Sequence, residues 1–182
     1  MKKYFYLFFV LIMCISCQEN DIATINALIK DDEVGVEIAD SVKLIYKENE
    51  FIRAEITTKT VKRYIESQNK LEFTKGMVVK FYEGLKLTSV LTADYGILDD
   101  TKQTIEVKGN IVMQNYKHEV LKTENLVWNL INKTIYAQDK ISIKTPYDII
   151  TGYGLNAKED FSNYSIKRVT GIVSYNEDES FR

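Results

Sequence analysis

Residues 91–113, LTADYGILDDTKQTIEVKGNIVM, lie over residues 121–143, LKTENLVWNLINKTIYAQDKISI, at an offset of 30 without a gap. Asp94 falls on Glu124, Thr104-Ile105 on Thr134-Ile135, Val107 on Ala137, Ile111 on Ile141 and Met113 on Ile143. A looser copy lies upstream, where LEFTKGMVV at 71–79 resembles IEVKGNIVM at 105–113. Another lies downstream, where YGLNAKEDFSNYSIKRVTGI at 153–172 keeps the rhythm with altered spacing. Each copy has the pattern strand, turn, strand, a unit that cannot bury its own apolar face and has to stack on its neighbours.

Period-two alternation supports this well beyond the repeat, in Val42-Lys43-Leu44, Arg53-Ala54-Glu55-Ile56, Leu71-Glu72-Phe73, Val79-Lys80-Phe81 and Ile141-Ser142-Ile143. Alternate side chains of a strand point to opposite faces, so these windows describe half-buried strands. Turns are expected at Lys47-Glu48-Asn49, Lys75-Gly76, Glu83-Gly84, Asp99-Asp100, Lys108-Gly109-Asn110, Asn132-Lys133, Asp139-Lys140 and Gly152-Tyr153-Gly154, where residues that tolerate positive φ or bond their own backbone cluster. The inward set is Phe73, Val79, Phe81, Ile105, Val107, Ile111, Met113, Trp128, Ile135, Ala137, Ile141 and Ile143. Alternation is compatible with two outcomes, a closed sandwich or a splayed pair of sheets with an apolar groove between them.

The chain has 182 residues with 24 Lys+Arg and 26 Asp+Glu, a net charge of −2 that argues against nucleic acid as a partner. One domain is expected over residues 36–175, followed by a polar tail at 176–182. The two Cys, at 14 and 17, sit in the N-terminal stretch, so the body has no disulfide framework and no thiolate metal site. One His and no available thiol exclude the usual zinc sets, and no cofactor is expected.

Lys2-Lys3 followed by the uncharged stretch Tyr4 to Ile15 has the layout of a secretory signal. Twelve residues at about 1.5 Å each make roughly 18 Å of helix, short of the roughly 30 Å hydrocarbon core of a bilayer. The string CIS-C resembles a bacterial lipobox, with Cys14 standing where the pattern usually has Leu. On this reading residues 1–16 are a lipoprotein signal, Cys17 is the lipid-attachment site, and 17–35 is a tether to the membrane. The mature chain then carries 22 basic against 26 acidic side chains, too weak an imbalance to decide a partner.

In order, the strings VKLIYKENEFIRAEI, LEFTKGMVVKFYE, LTADYGILDD, LKTENLVWNLINKTIYAQDKISI and IITGYGLNAKEDFSNYSI resemble the LptC component of the lipopolysaccharide export machinery, with its OstA-like repeat. The similarity runs from about residue 36 to 173. The resemblance implies an all-β, twisted, V-shaped β-jellyroll of about fifteen strands, with a hydrophobic trough for lipid A acyl chains and open sheet edges at both ends. It implies lipopolysaccharide as ligand, bound by the inward set. It further implies inner-membrane ABC transporter subunits as partners at the N-terminal edge (Val42, Leu44), and an LptA-like periplasmic bridge protein at the C-terminal edge (Ile166, Val169, Ile172). Such assembly is strand addition between chains. LptC proteins commonly carry an N-terminal transmembrane helix, from which the lipid anchor expected here departs. The implied location is the periplasmic face of the inner membrane.

No catalytic residue is expected. A carrier of this kind needs no chemical step, and the chain has no Gly-rich phosphate loop ending in Lys-Ser/Thr, so the energy has to come from an ATPase elsewhere. His118 has no accompanying partner motif and is read as a surface residue. Gly152-Tyr153-Gly154 lacks the third Gly and the βαβ context of a dinucleotide loop and is read as a tight turn or bulge. Asp94/Asp99 and Glu124/Asp139 occupy equivalent places in successive repeats and are read as turn and strand-edge residues, not as a glycosidase pair. Trp128 falls on Leu98 of the preceding copy, which favours core packing or groove lining over a sugar-stacking platform. The second reading is a polysaccharide-binding β-sandwich lipoprotein, which requires a closed core and exposed coplanar aromatics.

Overall fold

Long stretches of alternating β-branched and aromatic residues with few helix-favouring runs form strands throughout the residues that the structure, a computed structural model, describes: 35–65 and 69–174. The signal, Cys17, the tether apart from Gly35, and the tail at 176–182 lie outside them. Eleven strands follow in order: β1 (Val36–Glu48), β2 (Phe51–Tyr64), β3 (Lys70–Phe73), β4 (Met77–Glu83), β5 (Lys86–Ala93), β6 (Tyr95–Asp99), β7 (Thr104–Asn115), β8 (Val120–Asn129), β9 (Thr134–Lys144), β10 (Asp148–Lys158) and β11 (Tyr164–Ser174).

All belong to one antiparallel sheet. Between β2 and β7 the sheet divides. The first half of β2 reaches the end of β7 through β4 and β5, while its second half reaches the start of β7 through β3 and β6. The sheet therefore has two arms, and the long strands β2 and β7 to β11 contribute to both. Side chains of the arms meet between them, as where Phe81 of β4 packs edge-on against Trp128 of β8 with ring centroids 4.8 Å apart.

The 30-residue repeat is present in the strand register. Leu91 pairs with Met113, Ile97 with Glu106 and Leu98 with Ile105; with every number raised by 30, Leu121 pairs with Ile143, Val127 with Tyr136 and Trp128 with Ile135. The looser upstream copy is also structural. Leu71 and Ile105 pair with Leu98 from its two sides, and Val79 and Met113 flank Leu91 in the same way.

Two expected turns are not turns, and Gly152-Tyr153-Gly154, expected as a tight turn or bulge, is a bulge. Lys108-Gly109-Asn110 lies inside β7, Asp139-Lys140 inside β9 and Gly152-Tyr153-Gly154 inside β10. The β7–β8 register shifts between Lys108 and Ile111, and the β9–β10 register between Tyr153 and Leu155. Gly109 and Asn110 take φ of 78° and 47°, and Gly154 takes 74°. At these points the chain runs on without reversing, and at Gly109-Asn110 and Gly154 left-handed residues supply the bulge that bends it. The same continuity explains why the strands number eleven and not about fifteen: each long strand serves both arms.

Candidate functional site

The interior between the arms is the candidate site. Phe73, Val79, Phe81, Ile105, Val107, Ile111, Met113, Trp128, Ile135, Ile141 and Ile143 are each at most 2 % exposed. They come from β3, β4, β7, β8 and β9 and join one buried cluster with Leu91, Leu121, Leu126 and Leu155. Burying an aliphatic or aromatic side chain of this size is worth about 1.5–3 kcal/mol, so the row is the main source of cohesion. An apolar depression of about 600 Å³ lies where β1, β2, β4 and β5 bend, lined by Val42, Thr58, Met77, Val78 and Ala93 among others.

Polar contacts join the two arms at one side of this interior, and neither composition nor alternation pointed to them. Glu159, 4 % exposed, lies between two donors: Arg53 Nη2 bonds its Oε1 at 2.8 Å and Trp128 Nε1 bonds its Oε2 at 3.1 Å. Beside it Lys133 Nζ donates to Glu48 Oε2 at 2.6 Å. That hydrogen bond is the chief reason the Glu48 carboxyl is held below its ordinary value. Burial works against the charge of Arg53, but the bond and field of Glu159, helped by Glu48 and Asp160, outweigh it and raise the guanidinium pKa. Arg53 Nε is buried and bonds no acceptor; Glu48 Oε2 is 3.7 Å away. A cavity of about 410 Å³ adjoins this cluster, with Arg53, Phe81, Lys133 and Glu159 in its walls.

Farther along the same side, Asn115 Nδ2 donates to the carbonyl of Phe161 at 2.9 Å and to Glu119 Oε2 at 2.6 Å. The Tyr164 hydroxyl donates to Glu119 Oε1 at 3.3 Å. Burial first, and then the Glu119 carboxylate, push the Tyr164 phenol up to about 12. The one available signal in the sequence was Phe161 itself, an aromatic inside the otherwise polar run EDFSN.

The edge residues fall into two groups. β1 pairs only with β2 and β11 only with β10 among the described residues. Val42, Leu44 and Ile166 turn toward the core and pack on it, whereas Val169 and Ile172 are 48 % and 60 % exposed. His118 is exposed in the β7–β8 turn with φ of 63°. The acids have structural partners: Asp94 accepts from Asn110 Nδ2 at 2.6 Å, Asp139 from Asn125 Nδ2 at 2.6 Å, Glu124 from the Asn110 amide at 3.3 Å and Asp99 from the Lys102 amide at 3.1 Å. Trp128 is 2 % exposed and packs in the core, with Tyr46 and Phe81 at its ring.

No curated protein matches the chain. A family model described as "Lipopolysaccharide-assembly, LptC-related" matches residues 5–173, which takes in every strand but the last residue of β11. With a repeated all-β sheet folded around an apolar interior and a match over nearly its whole length, the chain belongs to the LptC-related family, a periplasmic, inner-membrane-associated component of lipopolysaccharide transport.

Proposed function

We propose that the chain binds the lipid A part of lipopolysaccharide between its two arms and relays it across the periplasm. Transporter subunits of the inner membrane add to the β1 edge, and an LptA-like bridge protein adds to the β11 edge. Cys17 carries the lipid that anchors the chain at the periplasmic face of the inner membrane. The observation that carries this reading is the continuous apolar row from Phe73 to Ile143, which runs across the strands from β3 to β9.

Shielding each acyl CH₂ from water is worth about 0.8 kcal/mol, so a lipid bearing several chains pays its way in a surface of this kind without any covalent step. The two outer strands carry backbone groups that strand addition would satisfy, which extends the same apolar row into a neighbouring chain.

The test is photo-crosslinking in cells with a probe at Phe73, Ile105 or Ile143, followed by detection of lipopolysaccharide. Adducts that disappear on ATP depletion are expected. A folded protein that gives no adduct at any of the three positions is a scaffold and not a carrier.

A further inference from the structure

The turn between β10 and β11, residues 159–163, crosses from one arm to the other. It grows from the arm formed by the second half of β10 and the start of β11. Its partners on the opposite arm are Arg53 at the start of β2, Asn115 at the end of β7 and Lys117 in the turn after it. Arg53 holds Glu159, Asn115 holds the carbonyl of Phe161, and Lys117 Nζ donates to the carbonyl of Ser162 at 3.1 Å. Each of these contacts uses a side chain of the opposite arm as donor, so all three can break while every strand ladder stays intact.

Phe161 is the residue that this arrangement presses inward. It is fully buried and stacks on Tyr164, with centroids 4.8 Å apart and ring planes 17° from parallel. Its φ is 56°, the left-handed region, which a bulky side chain seldom adopts. The backbone of the turn therefore works against this placement, and burial of the ring together with the three contacts sustains it. The cavity of about 410 Å³ lies beside the turn, with Glu159 and Asp160 on one wall and Phe81 of the apolar row on another.

The geometry points to the β10–β11 turn as a side entrance to the interior, in which Phe161 holds the place that one acyl chain of the lipid takes on binding. The ring and an acyl chain are interchangeable there, because each supplies apolar volume against the same walls. Release of Arg53 from Glu159, of Asn115 from Phe161 and of Lys117 from Ser162 lets the turn swing out about Glu159, which Trp128 Nε1 and the carbonyl of Lys133 keep on its own arm, and Phe161 leaves a conformation its backbone disfavours. This inference rests on the proposal that the interior carries lipid, and it adds where and how the lipid enters from the side.

The experiment follows the capture of lipopolysaccharide carrying a fluorophore on its sugar by the full-length protein, in stopped flow. Phe161→Gly removes the ring and suits the positive φ, so the turn keeps its course; Glu159→Gln weakens the latch and leaves the ring in place. Association limited by opening of the turn is slow, and both variants are expected to speed it by about fivefold or more. Far-ultraviolet circular dichroism reports that each variant is folded, and if one of them is not, the other decides. Capture by the natural protein at the same rate as by folded variants overturns the side entrance and leaves the lipid reading standing. No capture by the natural protein or either variant overturns both.

Discussion

Phe81 and Trp128 meet edge to face, centroids 4.8 Å apart and planes at 66°, and so tie the arm containing β4 to the arm that holds the second half of β8. Both are at most 2 % exposed. Phe81→Ala is expected to cost about 3–5 kcal/mol, because the ring leaves a cavity that two pinned sheets cannot close. Trp128→Phe keeps most of the packing but removes the donor to Glu159, and should cost about 2 kcal/mol. Urea unfolding followed by far-ultraviolet circular dichroism measures both.

Gly152 sits on β10 against β11, at a shift in their register. A Cβ there would lie 2.5 Å from the Arg168 carbonyl oxygen and 2.8 Å from Ile166 Cγ2. Gly152→Ala should therefore loosen the outermost strand, at a cost on the order of 2–4 kcal/mol. Hydrogen exchange is expected to show lost protection in β11 and the facing part of β10, with β7 and β8 unchanged.

Two of the perturbed groups at the side of the interior, Glu48 and Tyr164, bound its pH range. Glu48 titrates below its ordinary 4.5, so its contribution is present above that value and is lost as the pH falls through the lower folded value. Tyr164 titrates at about 12 against an ordinary 10.0. Its contribution is full below pH 10 and is lost as the pH rises from there toward 12, because only the unfolded chain ionises in that window. Thermal melts across these ranges should show Lys133→Met flattening the acid limb and Tyr164→Phe flattening the alkaline one.

Val169 and Ile172, like Val173 beside them, are exposed apolar residues of β11, the strand of the proposed C-terminal edge. Val169→Glu with Ile172→Glu should leave the melting of the isolated protein within about 0.5 kcal/mol of the original, as for surface changes generally. Co-purification of the bridge protein is expected to fall sharply. Unchanged co-purification would remove β11 from the interface.

Much of the fold is legible in particular residues. The offset of 30 that aligns Leu91 with Leu121 and Met113 with Ile143 is a fact of sequence, and the same four residues pair in the sheet. The inward face follows from alternation because a strand's side-chain period is two and admits no other phase once one face is apolar. Bends were harder to tell from turns. Gly109-Asn110 and Gly84 carry the same local chemistry, yet the first bends a continuous strand and the second reverses the chain, since a left-handed residue permits either and the partner strand selects.

The amino-acid sequence by itself thus determined strand character, repeat and the buried apolar row, all of which are local or periodic properties of the chain. Only the tertiary structure decided that Arg53 meets Glu159, 106 residues away, and that Asn115 holds Phe161 across the arms. Such contacts depend on how two arms of one sheet close on each other. That closure comes from local bulges and register shifts, none of which leaves a periodic mark in the chain.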